Sequence, residues 1–139
     1  MNPANIEDFY SAIDDLVRIN HNNRKQLREG ENNFNPVSWA LDFCTVRVDV
    51  GRRAGKTSYL LNTARRGDLV VSGYPLDKDL TEAAVVTPES LSSVLRTCQE
   101  FNTIFIDEPA QVFRQIRKVT LYEMLVVPGK EQTFILLGE

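Results

Sequence analysis

Residues 44–61 read CTVRVDVGRRAGKTSYLL, and the fold follows from how this stretch is parsed. Cys44, Val46, Val48 and Val50 alternate with polar residues, which is the period of a strand with one buried face. Directly after them come Gly51-Arg52-Arg53-Ala54-Gly55-Lys56-Thr57 and then residues suited to a helix. Strand, glycine loop, helix is the order an anion cradle needs, because successive loop N–H groups and the exposed N–H groups of the helix start converge on one point. Lys56 adds a mobile cation for β- and γ-phosphates, and Thr57 a hydroxyl for Mg²⁺. The expected ligand is a nucleoside triphosphate, held by Gly51, Ala54, Gly55, Lys56, Thr57 and Ser58. The full pattern G-x-x-x-x-G-K-[ST] has glycine where Val50 stands, with Gly51 one place later. A surface turn with a basic tip is the plainer alternative.

A second stretch favours the phosphate reading. Thr103 to Pro109 reads TIFIDEP, a short apolar strand that ends in two adjacent carboxylates. In phosphate-loop proteins the strand beside the loop ends in an aspartate that helps to hold Mg²⁺, which assigns Asp107 to the metal. Glu108, directly after it, is placed to polarise an attacking water as a general base.

Composition sets the limits. The chain has 139 residues, 42% hydrophobic and 25% charged, which predicts one soluble globular domain with a single core. Sixteen basic against nineteen acidic residues give a net charge of −3, so no global field draws the chain to nucleic acid or membrane. Locally, Arg47, Arg52, Arg53, Lys56, Arg65 and Arg66 make the phosphate side basic. Cys44 and Cys98 lack metal-ligand spacing and read as buried thiols, and His21 stands alone. No apolar run approaches a membrane span and the N-terminus lacks signal-peptide character, so a cytoplasmic location is expected, that of the host if the protein is viral.

The remaining elements read in order. Ile6, Phe9, Tyr10, Ile13, Leu16 and Val17 form one apolar helical stripe. Residues 20–35 turn polar and predict an exposed loop or a short helix near Arg24 to Arg28, whose Arg24, Lys25 and Arg28 face solvent or touch nucleic acid. Trp39, just ahead of the first strand, offers a stacking face for a base or belongs to the core. Residues 68–73 and 133–137 are further buried strands, 83–86 an extra short one, and Ala110 to Val127 is mainly helical. Thr87-Pro88 opens a helix whose core face carries Leu91, Val94, Leu95 and Cys98. Strands separated by helices demand an α/β fold: a single domain over 1–139 with a mostly parallel sheet of about four to five strands and flanking helices. Residues 1–35 form its N-terminal helix and polar loop, and 36–139 its core. Gly51 to Thr57, Asp107 with Glu108, and Gly138 with Glu139 all fall at strand carboxyl ends, where such sheets bind ligands.

The loop Arg52-Arg53-Ala54-Gly55-Lys56-Thr57 together with Ile104 to Glu108 resembles the phosphate loop and metal-binding strand of bacteriophage terminase large subunits. These are P-loop ATPases of the additional-strand, catalytic-glutamate class that pump DNA into procapsids. The resemblance covers about Val46 to the C-terminus. It implies ATP and Mg²⁺ as cofactors, Asp107 as the magnesium residue, Glu108 as the base, and Arg52 or Arg53 as a γ-phosphate sensor acting with Lys56. Phe134 to Glu139, FILLGE, is similar to the start of the third motif of small viral superfamily-one helicases. Either resemblance implies DNA or RNA as a partner. It also implies self-association, or a partner protein that supplies an arginine finger, a role Arg114 or Arg117 would play only toward a neighbour. A nucleotide-binding module that acts through a partner without efficient hydrolysis is the alternative.

Overall fold

Short runs of β-branched and aliphatic residues make the sheet at the centre of the protein. The computed structural model describes residues 3–30, 35–48, 56–74, 76, 81–95 and 100–138; for 3–9, 25–30, 56, 57 and 94 the description covers the backbone alone. The strands are β1 (Thr45–Val48), β2 (Leu69–Ser72), β3 (Ala84–Val86), β4 (Thr103–Asp107) and β5 (Thr133–Leu137). They lie in the order β1-β5-β4-β2-β3, and every pairing is parallel. The expected α/β class and its parallel sheet are therefore found, with residues 84–86 as a true fifth strand.

Parallel neighbours cannot be joined by hairpins, so the crossing segments cover both faces; β2 to β5 are buried on both sides, while the edge strand β1 keeps Arg47 exposed. The helices are α1 (Pro3–Gly30), α2 (Pro36–Phe43), α3 (Lys56–Thr63), α4 (Leu91–Leu95), α5 (Pro109–Gln115) and α6 (Lys118–Leu125). On one face α1 and α3 bring Ile13, Tyr59, Leu60 and Ala64 onto Val46, Val70, Phe105 and Ile135. On the other, α2, α4, α5 and α6 bring Trp39, Leu91, Val112 and Leu121 onto Leu69, Ile104, Phe134 and Leu136. Thr87 and Ser90 close a capping box at the 3-10 turn before α4, as the Thr87-Pro88 signal predicts.

One expectation is corrected. The polar stretch after Asn20 is not a loop up to Gly30: α1 runs on as one helix. Arg24 is only 4% exposed. Its Nη1 donates to the Gln132 carbonyl at 2.7 Å and its Nη2 to Thr133 Oγ1 at 3.1 Å, so it fastens α1 to the start of β5 rather than facing solvent or nucleic acid. The mainly helical stretch expected over 110–127 is found, as two helices, because Ile116 (φ −143°, ψ 137°) and Arg117 (φ −65°, ψ 140°) are extended. The break lets Val112 and the Leu121/Tyr122/Leu125 face each reach the core.

Candidate functional site at the carboxyl edge of the sheet

The last residues of four strands stand in one register row. Val48 pairs with Leu137, Leu137 with Asp107, and Asp107 with Ser72. The ladder continues one step beyond the strands: Gly138 N–H donates to the Val48 carbonyl at 2.8 Å, and Glu108 N–H to the Leu137 carbonyl at 3.0 Å. Adjacent strands lie about 4.8 Å apart, so the end of β1 and Asp107 are separated by about 10 Å with β5 between them. The sequence reading placed the acidic strand next to β1; the interposed β5 corrects that neighbour while keeping both ends level.

Side-chain alternation decides which way the row faces. Val46, Val70, Phe105 and Ile135 all belong to the α1/α3 face, so Val48, Ser72, Asp107 and Leu137, two residues on, share that face. Helix α3 begins at Lys56 and packs against β4. The carboxylate of Asp107 therefore sits on the side of the sheet from which α3 starts. Asp107 is 4% exposed and Ser72 fully buried. Ser72 Oγ accepts from the Tyr74 N–H at 3.1 Å. Ser72 was not singled out in the sequence; the signal for it is that DLVVSG carries its one hydroxyl at the strand's carboxyl end.

Glu108 leaves the strand in the left-handed region (φ 54°, ψ 71°), alone among the described non-glycine residues. That conformation costs roughly 1–2 kcal/mol for a residue with a Cβ, and such strain concentrates at functional sites. Four residues hold it in place. The Glu108 N–H is engaged by Leu137, its carbonyl accepts from the N–H groups of Gln111 (3.0 Å) and Val112 (3.2 Å), and Pro109 fills the first position of α5. The half-buried Glu108 side chain is thereby turned out of the strand's alternation.

Helix α5 is seated by Gly73. A Cβ added there would stand 2.6 Å from Gln111 Cβ, closer than carbon atoms pack. Gly73→Ala should displace the helix that carries Glu108 at its start, lowering stability by about 1–3 kcal/mol. Thermal unfolding checks this, and an unshifted midpoint would show that α5 is not seated on Gly73.

Of the other predicted site residues, Gly51, Arg52, Arg53, Ala54 and Gly55 lie outside the described residues, as do the side chains of Lys56 and Thr57. Ser58 is exposed on the first turn of α3. Trp39 corrects the stacking expectation. It is a core residue, 7% exposed, set against Phe43 (centroids 4.9 Å apart, planes 44° apart) on the α2/α6 face, so it is not on the side of Asp107. Arg114 and Arg117 are exposed on α5 and just before α6, on the opposite face of the sheet from Asp107. Beneath the row, Tyr59 of α3 donates to Asp14 Oδ1 of α1 at 2.9 Å. Burial first, and then Asp14, push its hydroxyl pKa up, so Tyr59 stays a neutral donor.

Among the described residues no group of three His, Cys, Asp or Glu side chains gathers to hold a metal. One buried carboxylate, a second beside it and a neighbouring hydroxyl suit a cation that keeps most of its waters and takes one or two carboxylates plus phosphate oxygens, which is the habit of Mg²⁺. Comparison with protein-family models, with curated proteins and with solved structures returned no match.

Proposed function

We propose that the chain binds a nucleoside triphosphate with Mg²⁺ at the carboxyl edge of its sheet and hydrolyses it, as a minimal motor-type ATPase core acting on nucleic acid. The observation that carries the reading is the row Val48–Leu137–Asp107–Ser72. It sets the strand from which GRRAGKT departs level with the acidic pair, on the face where α3 begins at Lys56. The strand interposed between β1 and β4 accords with the additional-strand class that the sequence resembles. The left-handed Glu108 supports it further, because strain is being held at the residue expected to act on water.

In this reading Asp107 holds the metal with the Thr57 hydroxyl. When bound, Mg²⁺ would supply positive charge to offset the charge that develops on the phosphate oxygens. Lys56, with Arg52 or Arg53, neutralises the same oxygens. Glu108 orients the attacking water and accepts its proton. The protein forms no covalent bond to the phosphoryl group; it positions and neutralises.

The test pairs equilibrium ATP binding with steady-state phosphate release, each with Mg²⁺ and with excess chelator. Release should require Mg²⁺, and Asp107→Asn should lower it at least about tenfold while leaving the fold intact, in line with the loss of a charged metal ligand's contribution to transition-state stabilisation. Failure of the wild-type chain to bind ATP in millimolar Mg²⁺ would sink the reading. Binding without release would leave the module that acts through a partner, which the displaced loop glycine favours.

A further inference from the structure

Arg47, which the sequence groups with the basic phosphate side, stands instead on the opposite face of the sheet from Asp107, because Val46 and Val48 on either side of it face α1 and α3. Thr45 Oγ1 and the Tyr122 hydroxyl are 2.7 Å apart, which fixes α6 against β1. From Thr45, two residues toward the carboxyl edge on the same side of β1, comes Arg47. From Tyr122, one turn toward the start of α6, comes Lys118. These two steps run the same way. The far end of α6 is held at the opposite edge of the sheet, where the Leu125 carbonyl accepts from Gln132 Nε2 at 3.0 Å, just before β5 begins. Arg47 and Lys118 are thus neighbours at the carboxyl edge, on the α6 side of the edge strand. Arg117 directly precedes Lys118, and Arg114 sits in the last turn of α5; both are exposed, as is Arg47. Lys118 Nζ lies 5.9 Å from the centre of the Phe113 ring, which holds it at the junction of α5 and α6.

We propose that Arg47, Arg117 and Lys118 bind the phosphate backbone of a nucleic acid. Like charges held together without a counter-charge are unfavourable, and an anion between them removes the cost. Of the described ion pairs, Arg18–Asp15 and Lys130–Glu100, neither involves these residues. The Lys118 amine is pushed below its ordinary pKa by burial and then by Arg47, the response expected of a cation that has another cation for its neighbour. The surroundings choose between polyanions. A protein partner would be met by a fully buried apolar centre with aromatic anchors. Yet the large exposed hydrophobics among the described residues are Leu16, Ile19, Tyr74 and Val119, and of these only Val119 adjoins Lys118. Backbone phosphates need cations and donors alone.

This surface does not depend on the nucleotide reading. It lies on the α6 side of β1, whereas Asp107 faces the α3 side two strands away, and it should bind without ATP. The experiment is fluorescence anisotropy of labelled 30-nucleotide single-stranded and duplex DNA with the full chain, without nucleotide, over a range of salt. Wild-type protein should bind with affinity that falls steeply with salt. Arg47→Gln combined with Lys118→Gln should weaken binding about tenfold or more and flatten the log–log salt slope by roughly 1.4 for single strands or 1.8 for duplex, two contacts' worth. Its thermal midpoint should stay within a few degrees of the parent's, since Arg47 is exposed, Lys118 half-buried, and neither joins an ion pair among the described residues. A charge-matched control, Arg18→Gln with Lys130→Gln, should stay within about twofold of wild type, because those cations lie outside the surface. The proposal is overturned if wild type binds neither DNA, if the control weakens as much as the test variant, or if poly-glutamate of equal charge competes as well as DNA does. ATP binding in the same preparation reads the catalytic site separately.

Discussion

Glu108→Gln should bind ATP as tightly as the parent and release phosphate at least about a hundredfold more slowly. A positioned general base contributes roughly 10²- to 10⁴-fold, which corresponds to about 3–5 kcal/mol of barrier, and the amide keeps the size and polarity of the side chain while losing its basicity. Glu108→Gly separates chemistry from fold. The left-handed backbone at Glu108 costs about 1–2 kcal/mol with a side chain and nothing with glycine, while glycine loses about 0.5–1 kcal/mol more in ordering. That variant should therefore melt at the same temperature as the parent or slightly above it, and be as inactive as the glutamine form. A protein that becomes more stable as it loses turnover is the signature of strain kept for function. Normal turnover in both variants would remove Glu108 from the mechanism.

The largest stability loss should come from Gln132→Leu. Gln132 is 5% exposed, and its side chain makes three hydrogen bonds to backbone. Nε2 donates to the Phe101 and Leu125 carbonyls at 2.9 and 3.0 Å, and Oε1 accepts from the Val127 N–H at 2.8 Å. Leucine fits the volume but leaves all three groups without this partner, at about 1–3 kcal/mol for each one shut away from water. Summed with partial relaxation, the expected loss is about 3–5 kcal/mol, or a midpoint lower by roughly 10 °C or more for a chain of this size. Calorimetry or thermal circular dichroism reads it directly. A loss under about 1 kcal/mol would mean that water replaces the amide.

The sheet was open to reading from sequence because β2 to β5 are buried on both faces and the edge strand β1 alternates. A strand without a solvent side appears as an unbroken apolar run, and LVVS, AVV, TIFID and TFILL are such runs with little else around them. Asp107 and Glu108 were legible for the converse reason: two carboxylates that end an apolar run have no packing role to explain them. The order of the strands was less legible, since nothing in TFILL says that it enters between β1 and β4. The length of α1 was missed because periodicity counts apolar residues, while Arg24 is buried by hydrogen bonds to Gln132 and Thr133, which lie far along the chain. Trp39 showed the limit of a single residue. An indole stacks on a base or fills a core equally well, and only the position of α2 on the far face decided it. The left-handed turn at Glu108 carried no signal either, because glutamate before proline gives no hint of positive φ.

The tie between Arg24 and Gln132 joins positions 108 apart, and among the described strands β1 pairs with β5 alone. A chain emerging from the ribosome at about 5–20 residues per second keeps both waiting for roughly 5–20 seconds. Through that interval the first strand has an open apolar side, and Arg24 has His21 of its own helix but not the Gln132 and Thr133 partners that bury it. Nascent chains of this protein should accordingly call on chaperones until β5 is made, whereas a circular permutant beginning at β5 would bring those partners together early.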